Sequence, residues 1–282
     1  PPSGEHRIEL APGIECVPIQ TQTLPPATHT NCFILGERGG DRIVVDPAAK
    51  TEEELEYLQR RIEAVVEDGG NILATIFTHK HQDHIGDLSR IEEIYSAPIW
   101  CAKETFEVIP NFETNRILKD GEILTLNGPN GNKKWKVYIT PGHCPGHICL
   151  ASDDYVISGD LAVMVGTILV PSSDGDMDDY IESLKRIHAL ESTMLFPAHG
   201  PFTHRPAKLL NRYITHREGR HARVLEALNQ GMNSIEEIAN HAYSDTPDAH
   251  PMLKVDQTFS HLKSHEKAGR IRKTIEGWEI IV

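Results

Sequence analysis

Four side chains able to bind a metal fall within six consecutive positions, His79, His81, Asp83 and His84 of the run Thr78-His79-Lys80-His81-Gln82-Asp83-His84. The run follows Ile72-Leu73-Ala74-Thr75-Ile76-Phe77, an apolar stretch rich in β-branched and aromatic residues that reads as a strand buried on both faces. The four therefore sit at a strand's end. His79 and His81 are two positions apart, and in extended backbone such side chains leave on the same side, where both imidazoles can share one ion. Asp83 and His84 then turn away. The pattern is not the helical His-Glu-x-x-His pair, whose ligands four apart line one helical face. It predicts two adjacent metal sites, both completed by residues from later in the chain.

Three later strand ends carry matching groups. Thr140-Pro141-Gly142-His143-Cys144-Pro145-Gly146-His147 places His143 on a Gly/Pro turn after a strand, where a ligand can be held rigidly. Tyr155-Val156-Ile157-Ser158-Gly159-Asp160 ends on a carboxylate, and Met194-Leu195-Phe196-Pro197-Ala198-His199-Gly200 on an imidazole. Asp46, closing the apolar run from Arg42, reads either as a turn residue or helix cap or as a carboxylate that orients a ligand histidine. His147 and His204 lie near these ligands in sequence and read as orienting groups, donors to substrate or local turn bonds. Tyr180 reads as helix packing or as a phenol reaching a substrate oxygen. Gly-x-Ser-x-Gly is absent, and Cys144 reads as a small buried residue rather than a nucleophile.

The elements that must position these groups alternate. Ile14 to Ile19, Asn31 to Leu35 and Arg42 to Asp46 read as strands within a β-rich stretch from residue 5. Leu55, Leu58, Ile62 and Val65 recur at helical spacing between Thr51 and Val66, and Leu88, Ile91 and Ile94 mark a second helix before a strand at Pro98 to Cys101. Strands at Ile123 to Leu126 and Trp135 to Thr140 flank a Gly-Pro-Asn-Gly-Asn loop. Such alternation argues for an α/β layered domain. In the tail, Ser234-Ile235-Glu236-Glu237 is a capping box, Val255, Phe259 and Leu262 stripe a helix ending near Gly269, and Ile271 to Thr274 with Trp278 to Val282 make a hairpin. Helices followed by a β-wing is winged-helix order, so the chain divides into residues 1–205 and a small domain at 206–282.

The length of 282 residues suits one large domain plus a small one, or two medium ones. No apolar run approaches the ~20 residues of a membrane span, and Pro1-Pro2-Ser3-Gly4 lacks the basic-then-apolar pattern of a secretory leader. The five cysteines are odd in number and lack zinc-ribbon spacing, which argues against a disulfide framework and fits a reducing interior. The expected location is cytoplasmic, with organellar targeting left open. The net charge is −13, yet residues 206–282 hold 11 Lys+Arg against 10 Asp+Glu, so the deficit falls on the main body. An acidic body disfavours broad polyanion binding. Lys263, Lys267, Arg270, Arg272 and Lys273 could meet phosphate, but a tail this close to neutral reads more simply as a packing or dimer element.

His79-x-His81-x-Asp83-His84 followed by His143, Asp160 and His199 resembles the metallo-β-lactamase superfamily. The resemblance implies a four-layer αββα sandwich with metals at one edge. Carried over, His79, His81 and His143 would bind one metal, Asp83, His84 and His199 the other, and Asp160 would bridge them. An imidazole at position 81, where the superfamily's diiron oxidoreductases carry a carboxylate, favours two zinc ions, although manganese or iron could occupy the same ligands. Thr30-Asn31, Ser158-Gly159-Asp160, Asp179-Tyr180-Ile181-Glu182-Ser183-Leu184, His199-Gly200-Pro201 and Tyr213-Ile214-Thr215-His216-Arg217 extend the resemblance, over nearly the whole chain, to the β-lactamase-like protein 2 group. Members of that group carry a winged-helix-like tail, and some are single-strand-selective endoribonucleases; this chain departs from the group over Val163 to Asp176.

The expected function is hydrolysis of an ester, thioester, lactone or lactam by a hydroxide shared between two zinc ions, whose binding lowers the pKa of water to about 7. Asp83 would both ligate and pass a proton to the leaving group. The alternative is cleavage of single-stranded RNA at the same site. Further readings are a mononuclear iron dioxygenase and a nucleic-acid-binding protein with a vestigial site, against which the intact ligand set speaks.

Overall fold

The computed structural model describes residues 8–109 and 115–281. The absent leader pattern at Pro1-Pro2-Ser3-Gly4, the first residues of the β-rich stretch and the last residue of the closing hairpin lie outside them. The chain divides into two compact units: the first takes the chain up to Ile139, then Gly146–Gly166 and Ser192–Arg205, and the second takes Thr140–Pro145, Thr167–Glu191 and the chain from Pro206 onward.

Among the described residues the first unit holds two sheets. One runs in sequence order through β1 (Ile8–Ala11), β2 (Ile14–Gln20), β3 (His29–Leu35), β4 (Asp41–Val45), β5 (Asn71–Ile76), β6 (Ile99–Cys101) and β7 (Arg116–Ile117). Its first four strands pair antiparallel, and from β4 onward the pairs are parallel. Parallel neighbours need crossovers, supplied by α1 (Glu52–Glu67) between β4 and β5 and by α2 (Gln82–Ile85) and α3 (Leu88–Ile94) between β5 and β6. The other sheet has the order β12-β11-β10-β9-β8, with β8 (Ile123–Gly128), β9 (Gly131–Ile139), β10 (Ile148–Ala151), β11 (Tyr155–Gly159) and β12 (Met194–Pro197). The loop read between β8 and β9 is tighter than its sequence suggests, because β9 pairs back to Gly128↔Gly131 and leaves Pro129-Asn130 as the turn.

The strand period of two sorts the core into layers. Ile14 and Cys16, Phe33 and Leu35, and Ile43 and Val45 point to an inner cluster shared with Leu124, Leu126, Trp135, Val137, Ile148, Leu150, Ile157 and Phe196 of the second sheet. Their neighbours Val17 and Ile19, Cys32 and Ile34, and Val44 point the other way, against Leu55, Leu58, Ile62 and Val65 of α1 and Ile91 of α3. The first unit is thus a helix layer on a sheet on a second sheet. Thr51 begins α1 with the capping box its sequence carries, Glu54 Oε2 accepting the Thr51 N–H at 2.8 Å.

The second unit contains α4 (Met177–His188), α5 (Pro206–Asn229), α6 (Ile235–Ala242), α7 (Pro251–Lys267) and the antiparallel hairpin β13 (Ile271–Lys273) with β14 (Trp278–Ile280). Val224, Leu228, Ile238, Leu262, Ile271 and Trp278 share its core. The Ser234–Glu237 capping box is present at the start of α6. Gly142 has φ +127, and a Cβ there would lie 2.2 Å from the Tyr180 backbone, so the Pro141-Gly142 turn packs directly on α4. Tyr180 is fully buried beneath the Arg217 guanidinium, the packing reading of its sequence. Several tail cations are engaged: Lys267 pairs with Asp176 at 2.8 Å, Arg272 with Glu279 at 2.5 Å, Lys263 donates to the Ser172 carbonyl, and Lys273 lies over the Phe259 and Trp278 rings. No described helix is long and apolar enough to cross a membrane.

Between α5 and α7 the unit buries a group of histidines. His221 Nδ1 lies 2.8 Å from His261 Nδ1, the His265 ring stacks on His221 at 3.7 Å, and His265 Nε2 donates to the His221 carbonyl. Burial, reinforced by Arg217 and the neighbouring histidines, pushes His261 well below its ordinary value. Burial also lowers His221, and pushes His265 and, with help from Arg217, His216 down to about 4; Asp178 opposes the shift at His221 and His265, Glu218 at His221 and Asp245 at His216. Histidines kept neutral in the folded state contribute stability above their unfolded pKa of about 6.5 and lose it as the pH falls toward the folded values. The melting temperature of this unit, followed by calorimetry in chelator, is therefore expected to fall steadily between pH 7 and pH 5. The slope should flatten in His261→Leu, and an unchanged slope in that variant would contradict the account.

Candidate metal centre

The first unit gathers its ligand-type side chains where β4, β5, β11 and β12 end. Asp46 follows β4 with φ +49 and is buried. Its Oδ1 accepts the Thr78 N–H at 2.7 Å, and its Oδ2 accepts the Thr78 hydroxyl at 2.6 Å and His84 Nδ1–H at 2.9 Å. With its proton given to Asp46, the Thr78 oxygen accepts from His79 Nδ1 at 3.1 Å. His84 and His79 are each left with Nε2 facing inward. His81 Nδ1 stands 3.0 Å from His79 Nε2, as expected of two imidazoles leaving one side of extended backbone. The single turn of α2 then brings Asp83 and His84 round, held from below by the Thr30 hydroxyl on the Asp83 carbonyl at 2.7 Å.

Asp160 and His199 arrive from the second sheet. The Asp160 amide donates to His147 Nε2 at 3.0 Å, and the Ala198 amide to the Gly159 carbonyl at 3.1 Å, so the turns after β11 and β12 are joined. Asn31 of β3 fastens the His199 loop three times: its amide N–H donates to Ala198 O at 2.7 Å, and its side-chain nitrogen to Pro197 O at 2.9 Å and Gly200 O at 2.8 Å. His199 Nδ1 donates to the His29 carbonyl at 2.8 Å, which again leaves Nε2 pointing inward.

Four inward distances follow. His84 Nε2 lies 3.7 Å from Asp160 Oδ1 and 4.0 Å from Asp83 Oδ1, while His199 Nε2 lies 3.4 Å from Asp160 Oδ1 and 3.6 Å from Asp83 Oδ2. Good hydrogen bonds are shorter. Donors on one tetrahedral zinc, bonded at about 2.0–2.1 Å, stand about 3.3 Å apart, which these spacings approach. His84 Nε2 is buried and has no hydrogen-bond partner, a costly state for a polar atom. An ion between these atoms would resolve it, so the residues fit a bound metal. Asp83, His84 and His199 form one ligand group, and His79, His84 and Asp160 another. Burial pushes the His84 imidazole down, but the Asp46 and Asp160 carboxylates outweigh it and hold His84 well above its ordinary value, so the pocket draws positive charge.

Six of the seven expected ligands, His79, His81, Asp83, His84, Asp160 and His199, are thus brought together in the first unit. The seventh, His143, belongs to the second unit, where it is buried and its Nδ1 lies 2.7 Å from the Leu169 carbonyl. Asp46 takes the orienting role. His204 is exposed and meets the Phe202 ring edge to face. All five cysteines are free and buried, and burial pushes the Cys16 thiol up to about 12, far from a working nucleophile. Residue-type reasoning missed the part played by Asn31 and Thr30, which appear in the sequence only as a Thr-Asn pair entering a strand.

The profile of the Metallo-beta-lactamase superfamily matches residues 25–199. The chain is 27% identical over 256 residues to a beta-lactamase-like protein 2 homolog of Drosophila melanogaster, covering 86% of this chain and 84% of that one. It is 26% identical over 201 residues to an atrochrysone carboxyl ACP thioesterase of Aspergillus fumigatus, covering 71% of this chain and 59% of that one. Among solved structures, a beta-lactamase domain protein from Burkholderia ambifaria matches with a TM-score of 0.77 over 100% of this chain and 97% of that one at 18% identity, a likeness of fold.

Asp46→Ala strands the Thr78 amide and frees His84 to rotate. Metal affinity, measured by competition with a chromogenic chelator, should fall about 10- to 100-fold in a protein whose far-UV dichroism is unchanged.

Proposed function

The chain belongs to the metallo-beta-lactamase superfamily, and from that membership and the geometry of its site we propose that it is a dinuclear zinc hydrolase acting on an ester, thioester, lactone or lactam. The observation that carries the reading is the place of Asp160, whose Oδ1 faces both His84 Nε2 and His199 Nε2 while the residue also groups with His79. His79 and His81 would hold one ion, Asp83, His84 and His199 the other, and Asp160 both. The assignment of His143 to the first ion rests on its sequence motif. When bound, such ions supply Lewis acidity and acidify water to a pKa of about 7.

The chain's own residues prepare that chemistry. Nδ1–H bonds from His84 to Asp46, from His79 to Thr78 and from His199 to His29 O fix each tautomer, so that a lone pair rather than a proton faces the centre. Of the inward-facing carboxylates Asp83 is the more exposed, its side chain 19% accessible against 10% for Asp160. Asp83 is therefore the group placed to take a proton from water and return it to a leaving group. Thioesters are the favoured class, because the name of the Aspergillus relative is that of a thioesterase. The same residues would serve cleavage of single-stranded RNA, but the pairing of Lys267 and Arg272 with carboxylates leaves less free positive charge in the tail for a phosphate backbone.

Purified zinc-loaded protein, tested against thioester, lactone, lactam and single-stranded RNA substrates, should turn over the acyl compounds. Asp83→Ala and His84→Ala should each lower turnover by at least about 100-fold while the chain stays folded. Full turnover in either variant, with metal content measured alongside, rules out the two-metal reading. Cleavage of RNA without acyl hydrolysis transfers the assignment to the nuclease.

A further inference from the structure

We infer that His147 is a positioning residue whose neutral imidazole fixes the turn that presents Asp160, the carboxylate shared by both proposed metal positions; the inference rests on the function proposed above. His147 is fully buried, its ring centre 5.3 Å from that of His79. Its Nε2 accepts the backbone N–H of Asp160 at 3.0 Å, so that nitrogen carries a lone pair and the ring's proton is on Nδ1. An imidazole with Nε2 spent on a backbone amide is withdrawn from metal binding and from proton transfer.

The backbone of the turn is laid directly onto the ring. Gly159 has φ +50, and a Cβ there would stand 2.7 Å from His147 Nε2 and 3.0 Å from the Thr78 side chain, so the position needs glycine on grounds of both space and conformation. The base of the imidazole is fixed as well, because the next residue, Ile148, donates its N–H to the Thr78 carbonyl at 2.8 Å and its side chain lies in the inner core. The register therefore runs from the His79 strand end through Thr78 and His147 to Asp160. Without the acceptor the Asp160 amide would lose this buried hydrogen bond, and the turn would no longer be held in the register that presents its carboxylate.

The test is metal binding by the whole chain, read by mass spectrometry under native conditions and by chelator competition. Wild-type protein is expected to hold two zinc ions. His147→Leu, which fills the space and removes the acceptor, should weaken binding about 10- to 100-fold and lower kcat more than it changes KM. His147→Gln, whose side-chain oxygen can accept the same N–H, should stay within a few-fold of wild type. A folded His147→Leu that keeps both ions at wild-type affinity overturns this inference alone, as does a His147→Gln as weak as the leucine variant. A wild-type protein that takes up no zinc overturns the proposed function with it. Should the leucine variant fail to fold, long-range proton–nitrogen spectra of the wild-type protein decide: protonated Nδ1 and bare Nε2 support the inference, and protonated Nε2 overturns it.

Discussion

The Asp46 carboxylate is the interaction on which the site is built. A buried anion is costly unless it is hydrogen-bonded and electrically compensated, and Asp46 meets that demand with three donors: the Thr78 amide, the Thr78 hydroxyl and His84 Nδ1–H. All three belong to the segment that also carries His79, His81 and Asp83. The left-handed backbone at Asp46 costs a non-glycine residue about 1–3 kcal/mol and persists because the surroundings over-determine it, with the Asp46 amide itself held by the Ile76 carbonyl. Neutralising one buried charge thereby orients two ligand imidazoles and aligns two strand ends.

Each ligand-bearing turn is rooted in the core within three positions. Val45 precedes Asp46, Ile76 precedes Thr78, Ile157 precedes Asp160, Phe196 precedes His199 and Ile148 follows His147, and all five apolar residues belong to the one inner cluster between the sheets. Because strand side chains alternate, slipping any of these strands by one residue would turn its core residue outward and carry its ligand away from the centre. Packing of the two sheets and convergence of the ligands are accordingly one constraint, and sheet-rooted sites of this kind are more exact than sites on free loops.

Much of this was legible in the sequence because its causes are local. The run from Thr78 to His84, the Gly/Pro turn at His143 and the alternation of buried strands all announce themselves within a few residues, as does the capping box at Ser234. The 24-residue α5 did not, for a physical reason. Its buried stripe of Leu209, Leu210, Tyr213, Ile214 and Val224 is interrupted by Arg217 and Arg220, whose terminal guanidinium nitrogens donate to Gln257, to Asp245 and to backbone carbonyls, so two core positions look polar. Asn31 was opaque because its partners Pro197 and Gly200 lie 166 and 169 positions away. The short β1 and β7 exist through pairing rather than through any pattern of their own.

What residue type alone leaves undetermined is which nitrogen of each histidine faces the centre, and here remote oxygens decide. His84, His79 and His199 each surrender Nδ1–H to a fixed acceptor, whereas His147 offers its Nε2 lone pair to an amide and is withdrawn from the ligand set. Two histidines of one kind and one degree of burial, His84 and His147, are assigned opposite duties by a carboxylate and a peptide N–H respectively. The inward charge then follows. With Nδ1–H committed to Asp46, a cation near Asp83 and Asp160 must meet His84 at Nε2, the atom on which Asp160 would otherwise hold a proton. The site is therefore shaped for a positive charge before any ion arrives, and that shape lies in the hydrogen bonds behind the inward-facing groups as much as in those groups themselves.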